Sequence, residues 1–161
     1  MFLKSNKVHQ EVIDLKASPD QVRDFIMTPQ RIMDYYPSPL EAGVLEPGSS
    51  LYCKGKSGIS LLEIQADQSH EQRSSIKVVV KVTTALKLKP PFTTERIREA
   101  AFFTMFEDWQ LEPHSSGTRL TKTWRDVHKI KHKILPMSWI VRKSAKGESA
   151  HLKKAWDSVA D

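Results

Sequence analysis

Apolar and polar residues alternate along much of the chain, which predicts β-strands with one buried and one solvent-facing side. The longest example is 74–89, where aliphatic residues from Ile76 to Val82 alternate with lysines. Similar alternation predicts further strands at 8–17, 42–54 (two short strands around a turn), 59–66, 93–112 and 118–128. The strand at 93–112 is predicted to place Ile97 on the same face as Met105. Together these segments predict an antiparallel sheet of about seven strands.

Two short helices are predicted directly after the first strand. Ser18 is placed to cap the first helix, with Pro19 at its first position and Gln21 at the spacing of a capping box. Thr28 and Pro29 repeat this arrangement and predict the start of a second helix.

The C-terminal part of the chain changes to a helical period. Apolar residues recur at helical spacing from about 136 to 160, which predicts one long helix. Gly147 lies near its middle and costs a helix about 1 kcal/mol, so the helix is predicted in one segment or two. No repeat or linker divides the sequence. Residues 1–161 are therefore predicted to form a single α+β domain.

The stretch 107–124 predicts a β-hairpin that carries two charges on its apolar face. Pairing across the turn places Glu107 opposite Trp124 and Trp109 opposite Lys122. Glu107 and Lys122 then become diagonal neighbours on the core side, where an isolated charge is strongly disfavoured. Three interpretations stay open: an anchor for a mainly apolar ligand, an acid and base for a reaction, or an ion pair at the open end of the sheet.

The order of these elements, together with three short motifs, resembles the START-like (SRPBCC) superfamily of polyketide cyclases/dehydrases and lipid-transport proteins. The motifs are the apolar–x–Ala–x–Pro–x–x–Val pattern at 15–22, the Tyr36-Pro37 pair, where many relatives have tryptophan, and "SGTRLT" at 116–121. The resemblance covers nearly the whole chain. It implies a helix-grip fold, in which a curved antiparallel sheet wraps around the C-terminal helix and encloses a cavity.

Proteins of this superfamily carry lipids, sterols, quinones or plant hormones, and others are polyketide cyclases, chaperone co-factors or ring-hydroxylase subunits. The resemblance thus implies non-enzymatic binding or transport of a hydrophobic or aromatic small molecule or lipid. A cyclase- or dehydratase-like enzyme and a protein-interaction module with a nearly filled cavity are the alternatives. The candidate ligand-binding residues are Glu107, Lys122, Trp109, Trp124, Phe103, Met105, Tyr36, Val78, Val80, Ile140 and Trp156.

Other chemistry is sparse in the sequence. Cys53 is the single cysteine, so no intramolecular disulfide can form, and it is expected to be a small buried residue. There is no Gly-rich phosphate loop and no nucleophile elbow. His128 and His132 have a metal-ligand spacing but no obvious third ligand. We therefore expect neither a metal site nor a cofactor.

The formal net charge of +6 is concentrated in part around 129–143. Lys129, Lys131, Lys133 and Trp139 would suit weak contact with an anionic membrane, whereas the alternative is a solvated loop before the last helix. No nucleic-acid motif is present, and no nucleic-acid partner is expected. Without an apparent signal peptide or membrane span, a cytoplasmic location is expected. The oligomeric state is left open.

Overall fold

The structure is a computed structural model that describes residues 6–37, 39–45, 50–69, 75–130 and 136–160. Within these ranges the chain forms seven strands and four α-helices. They are, in order, β1 (Lys7–Leu15), α1 (Pro19–Met27), α2 (Ile32–Tyr35), β2 (Glu41–Val44), β3 (Leu51–Lys54), β4 (Gly58–Ser69), β5 (Ile76–Leu86), α3 (Thr94–Glu99), β6 (Ala101–His114), β7 (Gly117–Lys129) and α4 (Met137–Ala160). A 3₁₀ turn, Pro29–Arg31, joins α1 to α2.

The strands form one curved antiparallel sheet in the order β1-β7-β6-β5-β4-β3-β2. Strands β2 to β7 each pair with their sequence neighbours, whereas β1 pairs with β7, so the first and last strands lie side by side. Helix α4 packs against β1, β7 and α2 on the concave face. This arrangement confirms the predicted α+β helix-grip architecture.

The main core lies between the concave face of the sheet and α4. Val78, Val80 and Val82 of β5 point into it because every second residue of a strand shares a face. Trp109 and Trp156 are fully buried there. Burial of each such large apolar side chain stabilises the fold by roughly 1.5–3 kcal/mol, before entropy costs.

Residues Thr94–Glu99 form helix α3, so the prediction of a strand beginning at 93 is wrong. The Thr93 hydroxyl accepts a hydrogen bond from the Arg96 backbone N–H at 3.2 Å, which caps α3. Ile97 is fully buried in a second cluster with Leu61 and Ala85. Leu61 lies on the opposite side of β4 from Leu62, which belongs to the main core. Ile97 therefore packs on the other face of the sheet from Met105.

The first predicted helix cap is confirmed. Ser18 Oγ accepts from the Gln21 N–H at 3.3 Å, and Gln21 Oε1 accepts from the Ser18 N–H at 2.9 Å. For the second, Thr28 and Pro29 do occupy the N-cap and first positions, but of a 3₁₀ turn and without a capping bond from the Thr28 side chain. Thr28 instead turns its hydroxyl back and donates to the Asp24 carbonyl at 2.6 Å. The chain consequently passes through a 3₁₀ turn before the short α2.

Helix α4 is one continuous helix of 24 residues that passes through Gly147. The helix is attached to β1 and to the residue that follows it: Arg142 donates to the Val8 carbonyl at 3.2 Å, and Asp157 accepts from the Lys16 N–H at 2.9 Å. None of the helices in the described ranges combines the length and apolar character needed to span a bilayer.

Gly117 begins β7 where that strand crosses the end of β1. A Cβ atom at this position would lie 1.9 Å from the Leu15 carbonyl oxygen. Only glycine allows this close approach of two backbones. The "SGTRLT" motif therefore has a steric role in bringing β7 against β1.

Candidate functional site

The β6–β7 hairpin has the pairing predicted from the sequence. Glu107 lies opposite Trp124 and Trp109 lies opposite Lys122. Both charged side chains point to the concave face, where Glu107 is 0% exposed and Lys122 is 1% exposed. The interpretation as an ion pair is thus correct in the pairing, with 3.4 Å between Lys122 Nζ and Glu107 Oε2, but the pair is enclosed in the core and does not lie at an open end of the sheet.

Lys122 lies at the centre of the polar cluster. Its Nζ donates to Glu148 Oε2 at 3.0 Å and lies 3.4 Å from Glu107 Oε2. The ammonium also lies over two tryptophan rings, 4.1 Å from the centroid of Trp109 and 4.6 Å from that of Trp124. Cation–π contacts of this kind add to the carboxylate contacts when the cation is removed from water.

Tyr36 provides a hydrogen-bond donor to the Glu107 carboxylate. Its hydroxyl lies 2.7 and 2.5 Å from the two carboxylate oxygens and donates to them. Burial raises the pKa of the Tyr36 phenol well above its usual value, and the negative charge of Glu107 raises it further. Tyr36 thus acts as a neutral donor to a buried carboxylate, a bond that a tryptophan or phenylalanine at this position could not make in the same way.

Glu148 was not predicted as a site residue, yet it is the member of the cluster that reaches α4. It is 9% exposed and lies in the buried stripe of the helix, with Ala145 and Leu152 on either side. Burial raises the pKa of the Glu148 carboxyl to about 7, opposed by the Lys122 ammonium and assisted by the charge of Glu107. In the sequence, Glu148 stands three residues after Ala145 and four before Leu152. This helical spacing of core residues was the sequence signal that Glu148 faces the core.

The cluster holds more carboxyl groups than cations. Glu107 and Glu148 both contact the single ammonium of Lys122. With both carboxylates ionised, the group would carry a net charge of −1 inside the core. Burial of an uncompensated charge is costly, which is the reason the proton affinity of Glu148 is raised.

A pocket opens between the sheet and the N-terminal half of α4, beside this cluster. Its inner part has a cavity volume of about 180 Å³, and an adjoining outer part about 430 Å³. The two parts share walls formed by Pro39, Cys53, Ser60, Thr84, Phe103, Met105, Ser144 and Glu148. Burial raises the pKa of the Cys53 thiol to about 12, so it stays protonated in this wall.

The predicted ligand-binding residues divide between the pocket and the core behind it. Those in the pocket wall are Tyr36, Phe103, Met105, Trp124 and Ile140. Those outside the wall and in the core are Glu107, Lys122, Trp109, Val78, Val80 and Trp156. Glu148 and Tyr36 are thus the members of the polar cluster that line the pocket.

The basic segment 129–143 is described by the structure only in part. Lys131, Lys133 and His132 lie outside the described residues. Trp139 is 56% exposed, and the Lys143 ammonium lies 5.1 Å from its ring centroid. Within the described ranges, no group of three or more His, Cys, Asp or Glu side chains is arranged to hold a metal ion.

No protein-family model matches the sequence, and no curated protein matches it either. Solved structures do match over almost the whole chain. A protein from Geobacillus kaustophilus has a TM-score of 0.61 at 14% identity, over 94% of this chain and 93% of that one. A START superfamily protein from Mycobacterium smegmatis has a TM-score of 0.51 at 15% identity, over 94% and 95% of the two chains.

A third similar structure is DynU16, a protein of the dynemicin biosynthetic locus. Its TM-score is 0.55 at 11% identity, over 93% of this chain and 47% of DynU16. At these identities the similarity concerns the fold alone. The chain therefore has the START-like, helix-grip fold.

Proposed function

We propose that the protein binds a hydrophobic or aromatic small molecule, without catalysing a reaction, in the pocket between the sheet and α4. The observation that carries this proposal is a mainly apolar pocket between the sheet and α4. Phe103 and Met105 form its floor, and Ile140 and Trp124 line its outer part. The outer part, at about 430 Å³, falls within the range of roughly 300–1,000 Å³ typical of small-molecule sites.

Within the described ranges, Glu148 is the one ionisable carboxyl of the wall and most of its other polar side chains are small, which also favours binding of a mainly apolar molecule. Sites of this kind combine apolar walls with a small number of polar groups that fix orientation. Ser60 is already bonded to Thr84, with 2.8 Å between the two hydroxyl oxygens. The pocket volume also argues against the alternative of a protein-interaction module with a nearly filled cavity.

A cyclase-like enzyme is the second candidate, favoured by the presence of a carboxyl and a phenol, Glu148 and Tyr36, in one pocket wall. DynU16 comes from a biosynthetic locus, which is compatible with this alternative. Against it, Glu107 and Lys122 are enclosed and bonded within the cluster, so they cannot reach a substrate. A general acid or base must lie within hydrogen-bond reach of the reacting proton.

Fluorescence titration with N-phenyl-1-naphthylamine, a neutral aromatic probe, tests the binding proposal. Ser144 lines both parts of the pocket but is itself exposed, so Ser144→Trp should fill the pocket without disturbing the core. Lys146→Trp adds the same side chain at an exposed position that is not in the pocket wall. We expect saturable binding to the wild type and to Lys146→Trp, and at least about tenfold weaker binding to Ser144→Trp.

The absence of saturable binding to the wild type would refute the proposed function. Equal binding by Ser144→Trp and the wild type would place the probe elsewhere on the surface. Thermal unfolding of each variant checks that the fold is kept.

A further inference from the structure

The pocket wall contains a buried carboxyl whose hydrogen-bonding capacity is only partly used. Glu148 is more than nine-tenths buried and lines both the inner and the outer part of the pocket. Among the described residues, its donor is Lys122, at 3.0 Å from Oε2. A carboxylate offers about four acceptor positions on its two oxygens. Glu148 can therefore accept further hydrogen bonds from a molecule in the pocket.

The charged and titratable neighbours of Glu148 cannot supply these bonds. Lys122 of β7 is shared with Glu107 of β6, and the Tyr36 hydroxyl, which follows α2, is bonded to Glu107. Cys53 of β3 also lines the pocket and offers at most a weak thiol donor. In the part of the chain that the structure describes, the wall thus contains one carboxyl, Glu148, and no lysine, arginine or histidine, and its other polar side chains are neutral.

We propose that the ligand of this pocket carries a hydroxyl or protonated amino group that donates to Glu148, and that the pocket discriminates against anionic ligands. This inference rests on the proposed function and adds the chemical class of the molecule bound. A donor completes the hydrogen bonding of a buried carboxyl, and such bonds to charged groups are among the stronger ones in proteins. Above about pH 7, where Glu148 is ionised, a ligand carboxylate would instead face it with a charge of the same sign, in a site where water screens the repulsion poorly.

Four derivatives of naphthalene, which share the same apolar ring system, test whether the ligand must carry a hydrogen-bond donor. They are 2-naphthol, 2-naphthylmethylamine, 2-methoxynaphthalene, which has no donor, and 2-naphthoate, which is an anion. Isothermal titration at pH 8.5, above the pKa of about 7 of the Glu148 carboxyl, gives the dissociation constant of each for the wild type. We expect 2-naphthol, 2-naphthylmethylamine or both to bind at least about tenfold more tightly than 2-methoxynaphthalene, and 2-naphthoate to bind most weakly. The relative affinities of the first two distinguish a hydroxyl ligand from an ammonium ligand.

Two variants test whether Glu148 is the group that causes the preference for ligands with a donor. Glu148→Leu removes the acceptor and leaves Lys122 paired with Glu107, so no buried cation loses its last counter-ion. The control Glu99→Leu makes the same change at an exposed position on α3, which packs on the other face of the sheet. The preference for donors over 2-methoxynaphthalene should fall to about twofold or less in Glu148→Leu and remain in Glu99→Leu.

The possible results separate the two proposals. If all four compounds bind the wild type equally, the pocket binds aromatic molecules but the donor requirement is overturned. If the preference persists in Glu148→Leu, another group receives the donor and the inference is also overturned. If none of the compounds binds, the proposed function fails, and the inference fails with it.

Discussion

Replacement of Glu148 by Gln should change how the stability of the protein depends on pH. The folded state raises the pKa of this carboxyl from 4.5 to about 7, mainly because burial disfavours the charged form. Glu148→Gln keeps the size of the side chain and removes the titration. Lys122 retains Glu107 as a counter-ion at 3.4 Å, so the substitution does not leave a buried cation unpaired.

The direction in which the free energy of unfolding changes with pH follows from proton binding by Glu148. Between about pH 4.5 and 7 the folded protein holds a proton on Glu148 that the unfolded chain has released. The free energy of unfolding contributed by this group is therefore greatest below pH 4.5 and falls as the pH rises to about 7. Each unit of pKa difference corresponds to about 1.4 kcal/mol, so the whole change is on the order of 3 kcal/mol.

Urea denaturation of the wild type and of Glu148→Gln at a series of pH values measures this change. The difference in the free energy of unfolding, variant minus wild type, should rise by about 3 kcal/mol between pH 4.5 and 8. Ser144→Ala lies one turn earlier on the same helix and removes no titrating group, so its difference should be independent of pH. A constant difference for Glu148→Gln would show that the folded state does not hold the extra proton, and the account of the cluster would be refuted.

Three further substitutions test the contacts around this cluster and the turn before β7. Lys122→Met leaves two buried carboxylates without a cation and should lower the free energy of unfolding by about 3–5 kcal/mol in urea denaturation; a loss below about 1 kcal/mol would contradict the enclosed ion cluster. Tyr36→Phe removes the donor to Glu107 and should cost about 1.5–3 kcal/mol by the same measurement, whereas no change would mean that water replaces the hydroxyl. Gly117→Ala forces a Cβ against the Leu15 carbonyl and should cost at least about 2 kcal/mol in thermal or urea unfolding; an unchanged midpoint would count against the close approach.

The hairpin at the centre of the site could be predicted from the sequence because its determinants are local. Alternation fixes which residues share a face, and a one-residue slip would have turned Trp109 and Trp124 outward. The register therefore followed from the turn and the apolar pattern, and it brought Glu107 and Lys122 together.

Glu148 shows what the sequence pattern left open. Its contact with Lys122 depends on how α4 is rotated and placed over the sheet, and no local signal determines that placement. The division of the predicted residues between the pocket wall and the filled core has a similar origin, because it also depends on where α4 lies over the sheet. In the segment 93–99 two local patterns disagreed. Thr93 in the cap position favours a helix, whereas the alternation that places Ile97 on the same face as Met105 favours a strand, and the prediction followed the alternation.

The pairing of β1 with β7 has a consequence for synthesis on the ribosome. The Thr118 hydroxyl donates to the Ala17 carbonyl at 2.7 Å across a separation of 101 residues. Among the described residues β1 pairs with β7 alone, so the first strand cannot pair in the sheet until β7 has emerged, and α4 follows later still. Contacts this distant in sequence slow folding and keep apolar strand surface uncovered in the nascent chain. The N-terminal strand should therefore remain sensitive to proteases on stalled nascent chains that end before residue 117, and become protected only after release of the complete protein.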